Sequence, residues 1–593
     1  MRLTPFIPAL LAFASALSIA APRDIYDSDH NGLIEIEDLQ DLNEIRNNTS
    51  AEHPAEIQGT HLYGANGGCP ASGCNGYELT RNLNFDTNSN GLFDEGDQFW
   101  NEGKGFEPIG NFNLKFATEF HGQGHALLNL TINRPGEYFT GLFGYLELAS
   151  IHDLILTADI KGGGNSGALT GYAWRSLFQK IQAETKVTTT ASEVQNCQPF
   201  CDARDNGGLI GSGEELMINR ILLKTTVSGE ESSGGLAGYL SDSNVDEAGV
   251  QGNISGDKNI GGLVGRMAAT SSTDPTISST VKRSFVAVTA SGRTQIGALA
   301  GSINKTEISD SLVSGTVNLD EQIYARAGGI AGSMEDSSLL RIISTVRLPE
   351  DSDTTRFIGA LTGESGGMTL TDVTNTHAAR DLAKRAEGKG YGSLIPNQNF
   401  DLAHIQCASA ADACDGLQFS DWDSSKNSKN ETLWVFGTQE QVPGLKLSQA
   451  SLMDADADGQ ADSWPEIVIP TDPDPTDPDP TDPDPTDPDP TDPDPTDPDP
   501  TDPDPIDPDP TDPDPTDPDP TDPDPTDPDP TDPDPTDPDP TDPDPTDPDP
   551  TDPDPTDPDP TDPDPTEPGK KSGSSGGALI WLLALTAVAR RRR

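Results

Sequence analysis

The chain has 593 residues and a formal net charge of −62, with 99 acidic against 37 basic side chains. Nineteen pentapeptides from Thr471 to Pro565 carry 38 of the aspartates, and the rest is acidic but long enough for one large core or two smaller ones. Such a balance excludes nucleic acid as the partner class, because phosphate contacts need basic patches, and it suits divalent cations.

Residues 1–20 read as a secretory signal peptide. Arg2 is the basic region, Phe6 to Leu17 the apolar run, and Ser18-Ile19-Ala20 the small residues of a cleavage site at Ala20. The six cysteines fall in three close pairs: Cys69 with Cys74, Cys197 with Cys201, and Cys407 with Cys414. In an exported chain, even and locally paired cysteines predict small disulfide loops. A zinc site is the alternative, but no histidine stands at ligand spacing beside them.

Residues 21–46 open with an acidic loop. Asp27, Asp29 and Asn31 hold its first, third and fifth positions, Gly32 the sharp turn, and Leu33 the place of a carbonyl ligand. Glu35 and Asp38 complete an oxygen set that predicts calcium, against the alternative of a metal-free Asx turn. Ile36, Leu39, Leu42 and Ile45 then follow at helical spacing. The loop resembles an EF-hand, and Asp38 at its last position makes it similar to dockerin modules. Only one copy is present, so the cohesin pairing of that family is not expected.

Residues 47–136 have weaker periodicity. After the strand-like Tyr77-Glu78-Leu79-Thr80 comes a second loop, with Asp86, Asn88, Asn90, Leu92, Asp94 and Asp97 as ligands. Two asparagines replace aspartate there, which predicts weaker calcium binding. His121 and His125 are four apart, but Gly122 and Gly124 between them exclude a helical zinc pair and predict a turn. The segment is read as the first coils of a repeat domain.

That domain, 137–367, is organised by Gly-(Gly/Ala)-(Leu/Ile)-x-Gly. Copies are Gly167 to Gly171, Gly207 to Gly211, Gly234 to Gly238, Gly261 to Gly265, Gly297 to Gly301, Gly328 to Gly332 and Gly359 to Gly363. A variant stands at Thr140 to Gly144. They recur every 27 to 40 residues or so, the range of a solenoid. One copy cannot bury its single leucine, whereas stacked coils place leucine on leucine about 4.8 Å apart. β-Branched runs such as Phe285 to Thr289 lie between copies. The reading is an all-β fold, a right-handed parallel β-helix; a sandwich or propeller with glycine-rich turns is the alternative. The copies resemble the GLUG repeat of bacterial surface proteins, a resemblance that implies architecture rather than activity.

Residues 368–450 break the rhythm and are expected to cap the solenoid. A third acidic loop, 451–470, places Asp454, Asp456, Asp458, Gln460 and Asp462 at calcium spacing, with Pro465 where a bidentate ligand would stand. Residues 471–568 hold the Thr-Asp-Pro-Asp-Pro repeat, whose prolines and like charges predict an extended stalk. At about 3.1 Å per residue it reaches up to roughly 290 Å.

Residues 569–593 combine a Ser/Gly spacer, Gly576-Gly577, a short apolar run from Ala578 to Ala589 and four terminal arginines. This is similar to the GlyGly-type C-terminal sorting signal of Gram-negative bacteria. The resemblance implies transient inner-membrane anchoring and cleavage near Gly576-Gly577 by a rhomboid-type sorting protease. Passage to the cell surface or medium follows, often through type II secretion machinery. No Ser/His/Asp, Gly-x-Ser-x-Gly, His-Glu-x-x-His or phosphate-loop pattern appears. The expectation is a non-enzymatic, adhesin-like protein with an unknown surface or glycan ligand; a β-helix polysaccharide lyase or glycoside hydrolase is the alternative.

Overall fold

The computed structural model describes residues 23–49, 51–190, 205–270, 278–320, 325–349, 357–366, 373–379, 382, 399–406, 419, 422–436 and 440–471. The segments read from sequence as a signal peptide and a sorting signal, and the repeat from 472 onward, lie outside them. Among the described residues no helix is long and apolar enough to cross a membrane.

The chain winds into a parallel β-solenoid. One coil shows the plan: a long bent strand Met217–Ser228, a short strand Glu231–Gly234, and a second short strand Ala237–Ser241. Each pairs in parallel with its counterpart in the next coil, Asn244–Ser255, Lys258–Gly261 and Val264–Ala268. The corners are residues in the left-handed region, Arg220 at φ 56°, Ser232 at 29° and Asp242 at 48°. Most are not glycine, so a modest backbone strain recurs in every coil.

Alternation along the strands sorts the side chains. Phe178, Ile218, Val245, Val281, Ile308 and Leu339 are register partners and form one buried column. The leucines of the glycine motif form another. The Leu209 N–H donates to the Leu236 carbonyl at 3.1 Å, Leu236 to Leu263 at 2.8 Å, and Leu263 to Leu299 at 2.8 Å. The series ends with Ile330 on Leu361 at 2.8 Å. The motif glycines serve close approach rather than unusual φ. A Cβ on Gly265 would stand 2.5 Å from the Ser232 carbonyl carbon, and one on Gly238 2.1 Å from the Asn206 nitrogen.

The N-terminal coils are less regular but continuous with this stack. Ile34–Ile36 pairs with Gly76–Leu79, which pairs with Glu119–His121. Ile36 is therefore on a strand, and the helix begins only at Leu39, running to Glu44 with Leu39 and Leu42 buried.

Residues 368–450 do not simply close the end of the rod, as expected from sequence. Val373–Thr374 and His377–Ala379 still stack on the preceding coil. The chain then lies along a flank. Trp422, Leu433, Trp434, Leu445 and Leu452 form a second core with outward-facing Leu222, Phe285, Leu312 and Ile343. The reason is local: these coils carry apolar side chains on their outer face, which need a cover. The covering strap includes a small antiparallel sheet, Trp434–Val435, Gly444–Lys446 and Ser451–Leu452. It then returns toward the N-terminal coils. A Gln182 side-chain N–H donates to the Glu466 carbonyl at 3.2 Å, and an Asn82 side-chain N–H to the Pro470 carbonyl at 2.6 Å.

Candidate metal centres

The first acidic loop sits at the N-terminal end of the stack. Asp27 is fully buried, and its two oxygens accept the N–H groups of Asn31 at 3.1 Å and Gly32 at 3.0 Å. Gly32 takes φ +91°, which allows the turn. Asp29 also accepts the Asn31 N–H at 3.0 Å, and Asn31 accepts the Leu33 N–H at 2.8 Å. Glu35 folds back to accept the Ser28 N–H at 2.8 Å.

One oxygen each of Asp29, Glu35 and Glu78 lies within 4.8 Å of the others. Glu78 is the register partner of Glu35 on the neighbouring strand. Sequence reading missed it, since it lies outside the loop; its only signal is a charge among the apolar residues of Tyr77-Glu78-Leu79. The Asn31 amide donates to both Glu78 oxygens at 3.0 and 3.1 Å, so it stands among the carboxylates. Burial, reinforced by Asp29 and Glu35, pushes the Glu78 carboxyl above the ordinary range.

Asp38 does not join this group. It caps the helix, accepting the N–H groups of Gln40 and Asp41 at 2.8 Å each. The side chain at the twelfth position is thus engaged at a helix terminus, and Glu78 is the third carboxylate of the cluster.

Of the three expected disulfides, one falls within the described residues. Cys69 and Cys74 are bonded, with a Cα separation of 5.3 Å. The segment around them lies over the first loop. The Tyr26 N–H donates to the Gly67 carbonyl at 2.7 Å, and the Asn75 N–H to the Gly32 carbonyl at 2.9 Å. The other two expected pairs lie outside the described residues: Cys197 and Cys201 fall in the segment 191–204, and Cys407 and Cys414 in the segment 407–418. The bonds from Cys197 to Cys201 and from Cys407 to Cys414 therefore stand as expectations from sequence.

The second loop has the same backbone geometry but a different filling. Asp86 accepts the N–H groups of Asn90 at 3.1 Å and Gly91 at 2.8 Å, and Asn90 accepts that of exposed Leu92 at 2.7 Å. The side-chain amides of Asn88 and Asn90 both donate to Asp94, at 2.9 and 2.8 Å. Buried Asp97 accepts the N–H groups of Thr87 at 2.9 Å and Asp94 at 3.0 Å, drawing the loop shut. Two side-chain amides thus converge on one carboxylate.

The third loop belongs to the strap. Oxygens of Asp454, Asp456 and Asp458 gather within 4.8 Å. Asp454 is fully buried and accepts the N–H groups of Asp458 at 3.0 Å and Gly459 at 2.9 Å. It also accepts the Ser314 hydroxyl from the solenoid flank. Burial pushes its carboxyl up to about 6. Asp462 accepts the Ala455 N–H at 2.8 Å, while the exposed Gln460 donates its N–H to Asp458 at 2.8 Å. The carboxylate oxygens gathered in the first and third loops are hard ligands at close quarters, which fits calcium.

No family model matches the chain. Over 134 residues it is 32% identical to halomucin of Haloquadratum walsbyi, a match that covers 22% of this chain and 1% of halomucin. The chain thus spans only a small part of that protein's length. A solved structure of a proposed immunoglobulin A1 protease from Bacteroides ovatus aligns with 13% identity over 58% of this chain and 84% of that chain, at a TM-score of 0.32.

Proposed function

We propose that this is an exported, non-enzymatic β-solenoid rod, stiffened by calcium and displayed at the cell surface or released, where it binds a surface or glycan ligand in an adhesin-like role. The carrying observation is the Asp454-Asp456-Asp458 group, three carboxylates held together with Asp454 fully buried. Calcium would neutralise that group and lock the strap to the flank. The signal-peptide pattern of residues 1–20 supports an external location. The terminal segment supports release by a rhomboid-type sorting protease and export through type II secretion machinery.

A polysaccharide lyase would need basic residues beside free carboxylates on one face. The flank does carry both kinds. However, Arg341 forks onto Asp310 at 2.6 and 2.8 Å, and Arg283 pairs with Asp246. Glu247 accepts the Ser448 N–H at 3.1 Å. These groups satisfy one another, which supports a structural role.

The test is calorimetric titration of the exported protein with calcium after chelator treatment, followed by a glycan array and a polysaccharide-degradation screen. Calcium binding that disappears in part with Asp27→Ala and Asp454→Ala, with glycan capture and no degradation, is expected. Absence of heat at millimolar calcium would overturn the calcium reading, and degradation the non-enzymatic one.

A further inference from the structure

A second kind of ligand set lies on the N-terminal coils, in the same row of side chains as the first acidic group and one coil beyond it, since Glu78 is the register partner of His121. Strand alternation puts Glu119 and His121 on the same outward side of Glu119–His121. Parallel register then sets His121 directly against His152 of the next coil. The two imidazole centroids lie 4.2 Å apart, with the rings tilted by 34°. One nitrogen of each ring and one Glu119 oxygen lie within 4.8 Å of one another. His152 Nε2 is 2.7 Å from Glu119 Oε1. Behind them, Asp153 Oδ2 stands 3.6 Å from His152 Nδ1 and 3.5 Å from His121 Nε2, and Lys180 pairs with the other Asp153 oxygen.

We infer that Glu119, His121 and His152 form a site for a borderline divalent transition ion, of which zinc is the type. Two imidazoles and one carboxylate suit zinc, copper or nickel, and do not suit calcium, which takes oxygen ligands. The ion would replace the proton that otherwise bridges His152 Nε2 and Glu119. The His152 ring then keeps its remaining proton on Nδ1, on the side of Asp153, the outer carboxylate that orients metal-binding histidines. Lys180 neutralises Asp153 and leaves Glu119 as the anionic ligand. The ligands come from adjacent coils, so the ion would bridge two turns of the solenoid.

The histidines are 31 residues apart, too distant for a local motif; the coil repeat brings them together. The row runs from Glu35 and Glu78 of the first acidic group through His121 and His152 to Gln179, Asn219 and Asp246, and of these only His121 and His152 carry an imidazole.

The test titrates the exported protein, saturated with calcium, with zinc by calorimetry, and repeats the measurement with cobalt by visible absorption. One zinc site per chain and a cobalt spectrum of nitrogen ligation are expected. His121→Asn and His152→Asn should each weaken zinc by more than the roughly 10- to 100-fold expected of Asp153→Asn, which removes only the outer carboxylate. Glu119→Gln keeps the shape of the cluster and should also weaken it, so a folding defect in a histidine variant does not decide the matter. No zinc uptake in calcium-saturated protein, or equal uptake by wild type and both histidine variants, would overturn the site.

Discussion

The Ser314 hydroxyl donates to the carboxylate of Asp454, a residue 140 positions further along the chain. Beside this bond, a Cβ on Gly459 would stand 2.7 Å from the Gly315 Cα, so the two backbones touch. The third acidic loop and the solenoid flank therefore form one structural unit. Ser314→Ala leaves a buried carboxylate with one donor fewer and should destabilise the calcium-free protein by about 1–3 kcal/mol. Calcium should recover part of that loss. Differential scanning calorimetry with and without calcium checks both; an unchanged melting temperature in calcium-free buffer would show that the contact is not formed.

The leucine column predicts a graded series at Leu263, which is fully buried between Leu236 and Leu299. Leu263→Ala should cost about 2–5 kcal/mol through lost transfer and a residual cavity. Leu263→Asp should prevent folding, since it buries an unpaired carboxylate. Gly265→Ala should destabilise as well, because its new Cβ meets backbone that cannot swing away. Urea denaturation followed by circular dichroism measures all three.

His377 supplies a pH dependence. It is almost fully buried, with its ring stacked at 5.8 Å on Trp422 and edge-on to Phe419 at 5.8 Å. Burial lowers its pKa to about 4, so the folded state holds it neutral where the unfolded chain would protonate it. Its contribution is present above the ordinary histidine value and is lost as pH falls from about 6.5 through about 4. The loss should be on the order of 3 kcal/mol, at about 1.4 kcal/mol per pH unit. His377→Phe should flatten that part of the profile. Melting curves of both proteins between these pH values give the comparison, and parallel slopes would remove His377 as the cause.

Export should depend on Gly576 and Gly577. Changing both to leucine lengthens the apolar run, and the full-length chain should stay in the inner membrane. Wild-type protein recovered from the surface or medium should lack its four terminal arginines. Mass spectrometry of the exported C-terminus decides this, and Arg593 retained on surface protein would rule the processing out.

The solenoid was legible because its signal repeats. A leucine flanked by glycines every few dozen residues has one efficient use, and Leu236, Leu263 and Leu299 occupy it. The turns of the acidic loops were legible for a related reason, since carboxylates and a glycine sit there at fixed local spacing. What escaped is what depends on register between coils. Glu78 reaches Asp29 only because Gly76–Leu79 pairs with Ile34–Ile36. His121 meets His152, not His125, for the same reason. The strap escaped too: the outward apolar residues Leu222, Phe285 and Leu312 look like ordinary strand residues until the corner positions are known.

The return of the strap sets where a pull would enter the molecule. The described chain ends beside Asn82, near the coil that also holds the first acidic loop, rather than at the last coil. Tension transmitted through residues beyond 471 would therefore load the N-terminal coils first. It would run along the strap, against the packing of Trp464 and Leu452 on the flank near Gly249 and the hydrogen bond at Gln182. The later coils would stand at the free end, outside the line of force. A ligand gripped there would strain the whole stack, whereas one gripped near the first coils would spare it.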